Sequence, residues 1–251
     1  MEFGVFDHVD RAQQNLQAYY EDRLRIVELY DEIGIHRYHV AEHHGTPLGM
    51  SPSPSVYLAA VSQRTKKLRF GPMIYAAPLY HPLRLAEEIC MVDQMSGGRL
   101  ELGFGRGASA IEASFYGWSP EDMQGVYVET VEIILEALQT GKLNYDGKYY
   151  SFKDVPLCLE PCQKPYPPMW YGIHSTESAA RVAREGFNVI SLDSAEETRA
   201  YVDSYRAAWQ EDNGADAPEP CIGLSYFIVI AEDREEALAV ARRSYPVWHK
   251  S

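Results

Sequence analysis

A chain of 251 residues is long enough for one large α/β domain or two small ones, and its 46% hydrophobic and 24% charged side chains are those of a soluble globule. The net charge of −13 repels a polyanionic backbone and no Lys/Arg cluster offsets it, which argues against nucleic acid. No apolar run approaches the roughly 20 residues of a bilayer-spanning helix, which argues against membrane insertion, and small-molecule chemistry is favoured by elimination.

The N-terminal MEFGVFDHVD lacks the basic stretch, apolar stretch and cleavage site of a secretory signal, which points to a cytoplasmic protein with four free thiols. Only Cys158 and Cys162 are close in sequence, and two further ligands at zinc spacing are not evident nearby.

In chain order, EFGVF (2–6) reads as a strand, and Tyr20, Leu24, Val27 and Tyr30 then recur at helical spacing until Gly34 supplies a stop. HRYHVA (36–41) is a second strand, followed by a helix over 53–65, a strand over 68–76 and a helix opened by Pro82. A fourth strand covers 99–105, and its helix carries Val131, Ile134, Leu135 and Leu138 on one stripe before Gly141. An excursion at about 142–167 has the look of a hairpin. Alternation resumes with strands at 168–173, 187–192 and 221–231 and helices over 175–186, 196–209 and 233–244.

Seven strands alternating with seven helices on short connections demand parallel pairing and right-handed crossovers. The choice is an open doubly wound sheet or a (β/α)8 TIM barrel, and seven units favour a barrel in one domain over 1–251. An eighth strand is expected near VWHKS (247–251), so either the closing C-terminal βα unit is missing from this chain or the count is one short.

In such barrels the reactive groups project from loops at the carboxyl ends of the strands, and Glu42, His43 and His44 sit at that end of the second strand. Three adjacent residues lack the i, i+4 spacing of a helical zinc motif, so no metal is expected. On extended chain neighbours point to opposite sides, so one imidazole faces the barrel mouth while the other packs away. GFGRGA (103–108) also fits a dinucleotide fingerprint, but Glu121 and Asp122, at the distance of its acidic residue, fall at a helix start and not at a strand end.

YHVAEHHG, the run from HPLR through DQMSGGR to GRG, and GIHSTESAARVAREGFNVI resemble the bacterial luciferase-like family of flavin-dependent monooxygenases over nearly the whole chain. The resemblance implies that His43 is the catalytic acid–base group, that Glu42 lines the flavin site and that His44 has a structural role. It also implies a non-proline cis peptide between Met73 and Ile74 beneath the flavin ring. Arg106 is implied near the flavin phosphate, joined by Ser175 and Ser178 at the start of a helix, where free amides and the helix dipole attract an anion. Their role as helix caps is compatible with that. Where the family has an acidic residue before these serines this chain has His174, which makes the pocket less negative. Gly105 stands where luciferase itself has a cysteine, so light emission does not follow.

The activity implied is FMN-dependent monooxygenation of a small organic substrate with dioxygen, the reduced FMN coming from a separate flavin reductase. A deazaflavin-dependent oxidoreductase of the same superfamily and a non-catalytic flavin-binding remnant are the alternatives. By family analogy the chain forms a homodimer through the helices containing SVYLAAVSQ and LRLAEEICMVDQM.

Overall fold

Short apolar runs become strands here, and each returns to the same edge of a sheet through a helix, which enforces parallel pairing. The computed structural model describes residues 2–11, 15–46, 49–107, 109–214 and 216–249. It falls into two compact units, Met1–Gly45 with Gly49–Tyr171, and Thr46–Leu48 with Gly172–Ser251.

In the first unit, β1 (Gly4–Asp7) leads to α1 (Leu16–Ile33), whose start is capped by the Asn15 side chain. It stops at Gly34, which holds a left-handed φ of 82° that a Cβ would disfavour. β2 (Arg37–Val40) lies between β1 and β3 (Arg69–Pro72) in one parallel sheet, with Tyr38 opposite both Val5 and Phe70. α2 (Pro54–Arg64) and α3 (Pro82–Ser96) both open on proline, where a missing N–H costs no hydrogen bond.

The single strand expected over 68–76 is two. β3 ends at Pro72, the Met73–Ile74 peptide is cis, and β4 (Tyr75–Ala76) follows before a 3-10 turn over Ala77–Leu79. β5 (Leu102–Gly105) pairs in parallel with β4 and is followed by α4 (Ala110–Phe115), a helix too short for periodicity to reveal.

α5 (Met123–Thr140) occupies the expected place, but its buried face is displaced from the expected stripe. Val126, Thr130, Ile133, Ile134, Ala137 and Leu138 are buried, while Val131 and Leu135 are half-exposed. Tracking large aliphatic residues alone misses a stripe that includes a threonine and an alanine. The excursion is an antiparallel hairpin of β6 (Lys142–Asp146) and β7 (Ser151–Pro156), and β8 (Met169–Gly172) then pairs with β5 through Met169 and Trp170.

Beneath these strands Glu101, 1% exposed, gathers the unit's inner charges. Its carboxylate accepts from Arg37 at 3.2 Å, Arg69 at 2.6 Å and the Trp170 indole at 2.7 Å, and His39 Nε2 stands 3.3 Å away. Burial by itself would raise this carboxyl, but His39, Arg37 and Arg69 together hold it at about 2.

The second unit contains α6 (Thr176–Arg184), β9 (Asn188–Ser191), α7 (Ala195–Asn213), β10 (Ile222–Leu224) and α8 (Arg234–Trp248). α7 opens on a reciprocal capping box between Ser194 and Glu197. β10 pairs with β9 in parallel, but it is much shorter than the strand expected over 221–231. The Ser225 N–H still donates to the Ser191 carbonyl at 3.0 Å, but beyond it the backbone leaves the ladder, and Ile228 and Ile230 are 75% and 89% exposed. Apolar, β-branched sequence makes a strand only where a neighbour supplies backbone partners; among the described residues β10 pairs with β9 alone. The βα alternation read from the sequence is thus present, with α4 as an additional helix.

Candidate active site

The carboxyl end of β2 delivers Glu42, His43 and His44, and the alternation expected of extended chain separates the two imidazoles. The Glu42 side chain is fully buried. Its Oε2 accepts the Tyr80 hydroxyl at 2.7 Å and the Ala76 N–H at 3.2 Å, and its Oε1 lies 2.9 Å from His44 Nε2. Tyr80 pays for this company: burial, then the charge of Glu42, raises its phenol far above the ordinary range.

His43 turns the other way and stays 27% exposed. Its Nδ1 lies 3.3 Å from Glu112 Oε1, and its ring stacks on His8 with centroids 5.9 Å apart and planes 15° from parallel. Burial, then the neighbouring His43, lowers the His8 imidazole. Glu112 comes from α4 and was not among the residues singled out from sequence. One signal could have found it: Ser109 and Glu112 fit the S-x-x-E pattern of a helix start, and the Ser109 side chain does accept the Glu112 N–H at 3.2 Å. Among the described residues, no group of three His, Cys, Asp or Glu side chains is arranged to hold a metal ion.

The β2–β3 register sets Val40 opposite Pro72, and the Met73 N–H donates to the Val40 carbonyl at 2.7 Å. Met73 and Ile74 therefore leave the sheet at the same edge as His43. β5 crosses close to them. A Cβ on Gly103 would stand 2.7 Å from the Pro72 oxygen, and one on Gly105 would stand 2.6 Å from Ile74 Cδ1. Gly103 and Gly105 thus serve close packing of β5 on residues 72–74. Glu121 is exposed in the turn before α5, and Asp122 sits at the start of α5 held by Ser119, Lys148 and Tyr149, so neither candidate acidic residue of the dinucleotide reading ends a strand. Arg106 is exposed at the end of β5, and among the described residues no carboxylate pairs with it.

In the second unit Ser175 is the N-cap of α6. Its Oγ accepts the Ser178 N–H at 3.1 Å, and Ser178 Oγ donates back to the Ser175 carbonyl at 3.0 Å. Glu177 lies in the same first turn, its carboxyl held below the usual range by its own backbone N–H and then by the Ser175 hydroxyl. His174 does not leave its surroundings free of negative charge, because Asp193 Oδ2 is 3.0 Å from its Nδ1.

Residues 1–250 match the model of the luciferase-like monooxygenases. The chain belongs to this family. Protein y4wF of Sinorhizobium fredii is 41% identical over 98% of this chain and 72% of its own length. The oxygenase component of a flavin-dependent trigonelline monooxygenase from Acinetobacter baylyi is 27% identical over 96% of this chain and 68% of its own. Among solved structures, monooxygenase RslO1 of Streptomyces bottropensis superposes with a TM-score of 0.90 at 28% identity, covering 100% of this chain and 78% of that one.

Two more distant structures share the fold of this luciferase-like monooxygenase. They are the oxygenating constituent of a Pseudomonas putida diketocamphane monooxygenase in complex with FMN (TM-score 0.81, 20% identity, 100% and 76% of the chains covered) and a coenzyme F420-dependent tetrahydromethanopterin reductase of Methanopyrus kandleri (0.74, 19%, 94% and 69%). The fold class is therefore α/β of the luciferase-like TIM-barrel type, and the enzyme class is that of an oxidoreductase.

Proposed function

We propose that the protein is an FMN-dependent monooxygenase that oxygenates a small organic substrate, drawing reduced FMN from a separate reductase. The observation that carries this reading is the His43–Glu112 pair, a part-exposed imidazole backed by a carboxylate at 3.3 Å at the carboxyl end of β2. Because an ionised Glu112 can only accept, Nδ1 keeps its hydrogen and Nε2 is left as the atom that takes up and returns a proton. Bound reduced flavin supplies the two electrons with which dioxygen gives one oxygen atom to the substrate and the other to water.

The side chains at hand suit such a group. Glu42, Met73 and Ile74 are proposed to line the ring, and the exposed guanidinium of Arg106, a planar and permanently charged donor, is of the kind that binds a phosphate. In the second unit, His174, Ser175 and Ser178 are proposed as phosphate contacts, an incoming anion having to displace the Glu177 carboxylate from its own N–H and from the Ser175 hydroxyl. Similarity to an oxygenase component favours a reductase partner. A cytoplasmic setting and a homodimer belong to the same proposal, and the exposure of Val56 on α2 and of Met91 and Met95 on α3 supports the dimer.

Titration of the purified protein with FMN and with coenzyme F420, followed by fluorescence, tests the cofactor. Saturable FMN binding at least about 10-fold tighter than that of the deazaflavin is expected. The reverse preference would replace the proposal with deazaflavin-dependent hydride transfer, whose present support is likeness of fold. Dioxygen consumed from reduced FMN solely as hydrogen peroxide, over a panel of organic substrates, would count against monooxygenation.

A further inference from the structure

His44 is more than the packed neighbour of His43, because both of its ring nitrogens are engaged. Nε2 faces Glu42 Oε1 at 2.9 Å, and Nδ1 faces the Tyr116 hydroxyl at 2.8 Å across 72 residues of sequence. The Tyr116 ring meets the imidazole edge-on at 5.0 Å. Glu42 already accepts from Tyr80 and Ala76, so toward His44 it is again an acceptor and Nε2 carries the hydrogen. The neutral ring then has a lone pair on Nδ1, and the Tyr116 O–H donates to it. This donor order, hydroxyl to imidazole to buried carboxylate, is that of a hydrolase triad with a phenol in place of the serine.

Exposure runs along the same line. The Glu42 side chain is fully buried, that of His44 is 10% exposed and Tyr116 is 45% exposed. On α4, which leads directly into Tyr116, Ile111 and Phe115 are 69% and 61% exposed, apolar side chains of the kind against which a flat ring can lie. The same helix supplies Glu112 to His43, so the phenol and the proposed acid–base group border one strand end.

We propose that Tyr116, His44 and Glu42 form a second proton-accepting site, which takes the hydrogen of an acidic O–H group on an aromatic or enolic substrate. The substrate O–H bond breaks as its hydrogen joins the Tyr116 oxygen, while the hydrogen already on that oxygen moves to His44 Nδ1. The imidazolium so formed is held by the ionised Glu42, no electrons are exchanged, and the proton returns along the same route. Loss of that hydrogen raises the electron density on the ring carbons beside the oxygen, the state in which such a molecule accepts an electrophilic oxygen atom. Burial, with the carboxylates Glu42 and Glu112, raises the Tyr116 phenol, so it keeps its hydrogen at rest.

This assignment of a substrate class rests on the monooxygenase reading, but its test uses flavin-free protein and so can fail independently of the FMN titration. The probe is 4-nitrophenol, at a pH where the free molecule is mainly the neutral phenol. Saturable binding with the absorption spectrum of the phenolate is expected, and Tyr116→Phe and His44→Gln should each lower the bound phenolate fraction at least about 10-fold. Nitrogen-15 resonances of His44 give a second readout: an Nε2–H tautomer is expected, with the Nδ1 resonance moving in Tyr116→Phe. Probe bound as the neutral phenol, no saturable binding, an equal phenolate fraction in Tyr116→Phe, or an unmoved Nδ1 resonance would overturn the proposal.

Discussion

Replacing Glu101 by glutamine removes the charge on which Arg37 and Arg69 converge in the first unit. The group is 1% exposed and its carboxyl is lowered from 4.5 to about 2, a displacement worth roughly 3 kcal/mol at 1.36 kcal/mol per pKa unit. The sign follows from the lowering. The contribution is fully present above the unfolded value of 4.5 and is lost as the pH falls from there through about 2. Near neutral pH the variant should be less stable by roughly 3–5 kcal/mol, the usual cost of breaking a buried ion pair from one side. Urea unfolding followed by tryptophan fluorescence, at a series of pH values, measures both proteins, with Trp170 itself bonded to Glu101. Other carboxylates titrate alike in the two, so their stability difference should shrink by roughly 3 kcal/mol as the pH falls through the window. A difference that stays constant with pH would refute the assignment of this charge to the fold.

Three further outcomes concern the site. His43→Gln should lower turnover about 100- to 10,000-fold while FMN affinity, measured by titration, changes less than about 3-fold. Gly105→Ala places a Cβ 2.6 Å from Ile74 Cδ1 and should cost about 1–3 kcal/mol in thermal unfolding, a cost that Ile74→Ala relieves; strict additivity in the double variant would show that the two do not touch. Arg106→Gln should weaken FMN about 10- to 100-fold but leave riboflavin, which lacks the phosphate, unchanged, and equal losses for both ligands would remove Arg106 from the phosphate site.

Much of the fold was legible in the sequence because its signals are local. Gly34 and Gly141 end helices by their backbone freedom, Pro54 and Pro82 begin them, and apolar runs between such signals mark the strands. The order of these elements alone puts Glu42, His43 and Arg106 at the carboxyl ends of their strands, and the match over residues 1–250 agrees with the motifs that carried the resemblance. Where a pattern needed a neighbour to decide it, the reading failed: the buried stripe of α5 was misplaced, and the apolar run after Leu224 stayed out of the sheet.

The sequence by itself determined most of the elements and their order, and hence which side chains stand at a strand end, but not the short helix α4 or the extent of β10. Tertiary structure alone decided their partners. Glu112 reaches His43 across 69 residues and Tyr116 reaches His44 across 72, through a six-residue helix with no periodic signature. The physical reason is range: backbone preference and burial period act within a few residues of the chain, whereas a hydrogen bond between distant segments exists only once sheet register has fixed their separation.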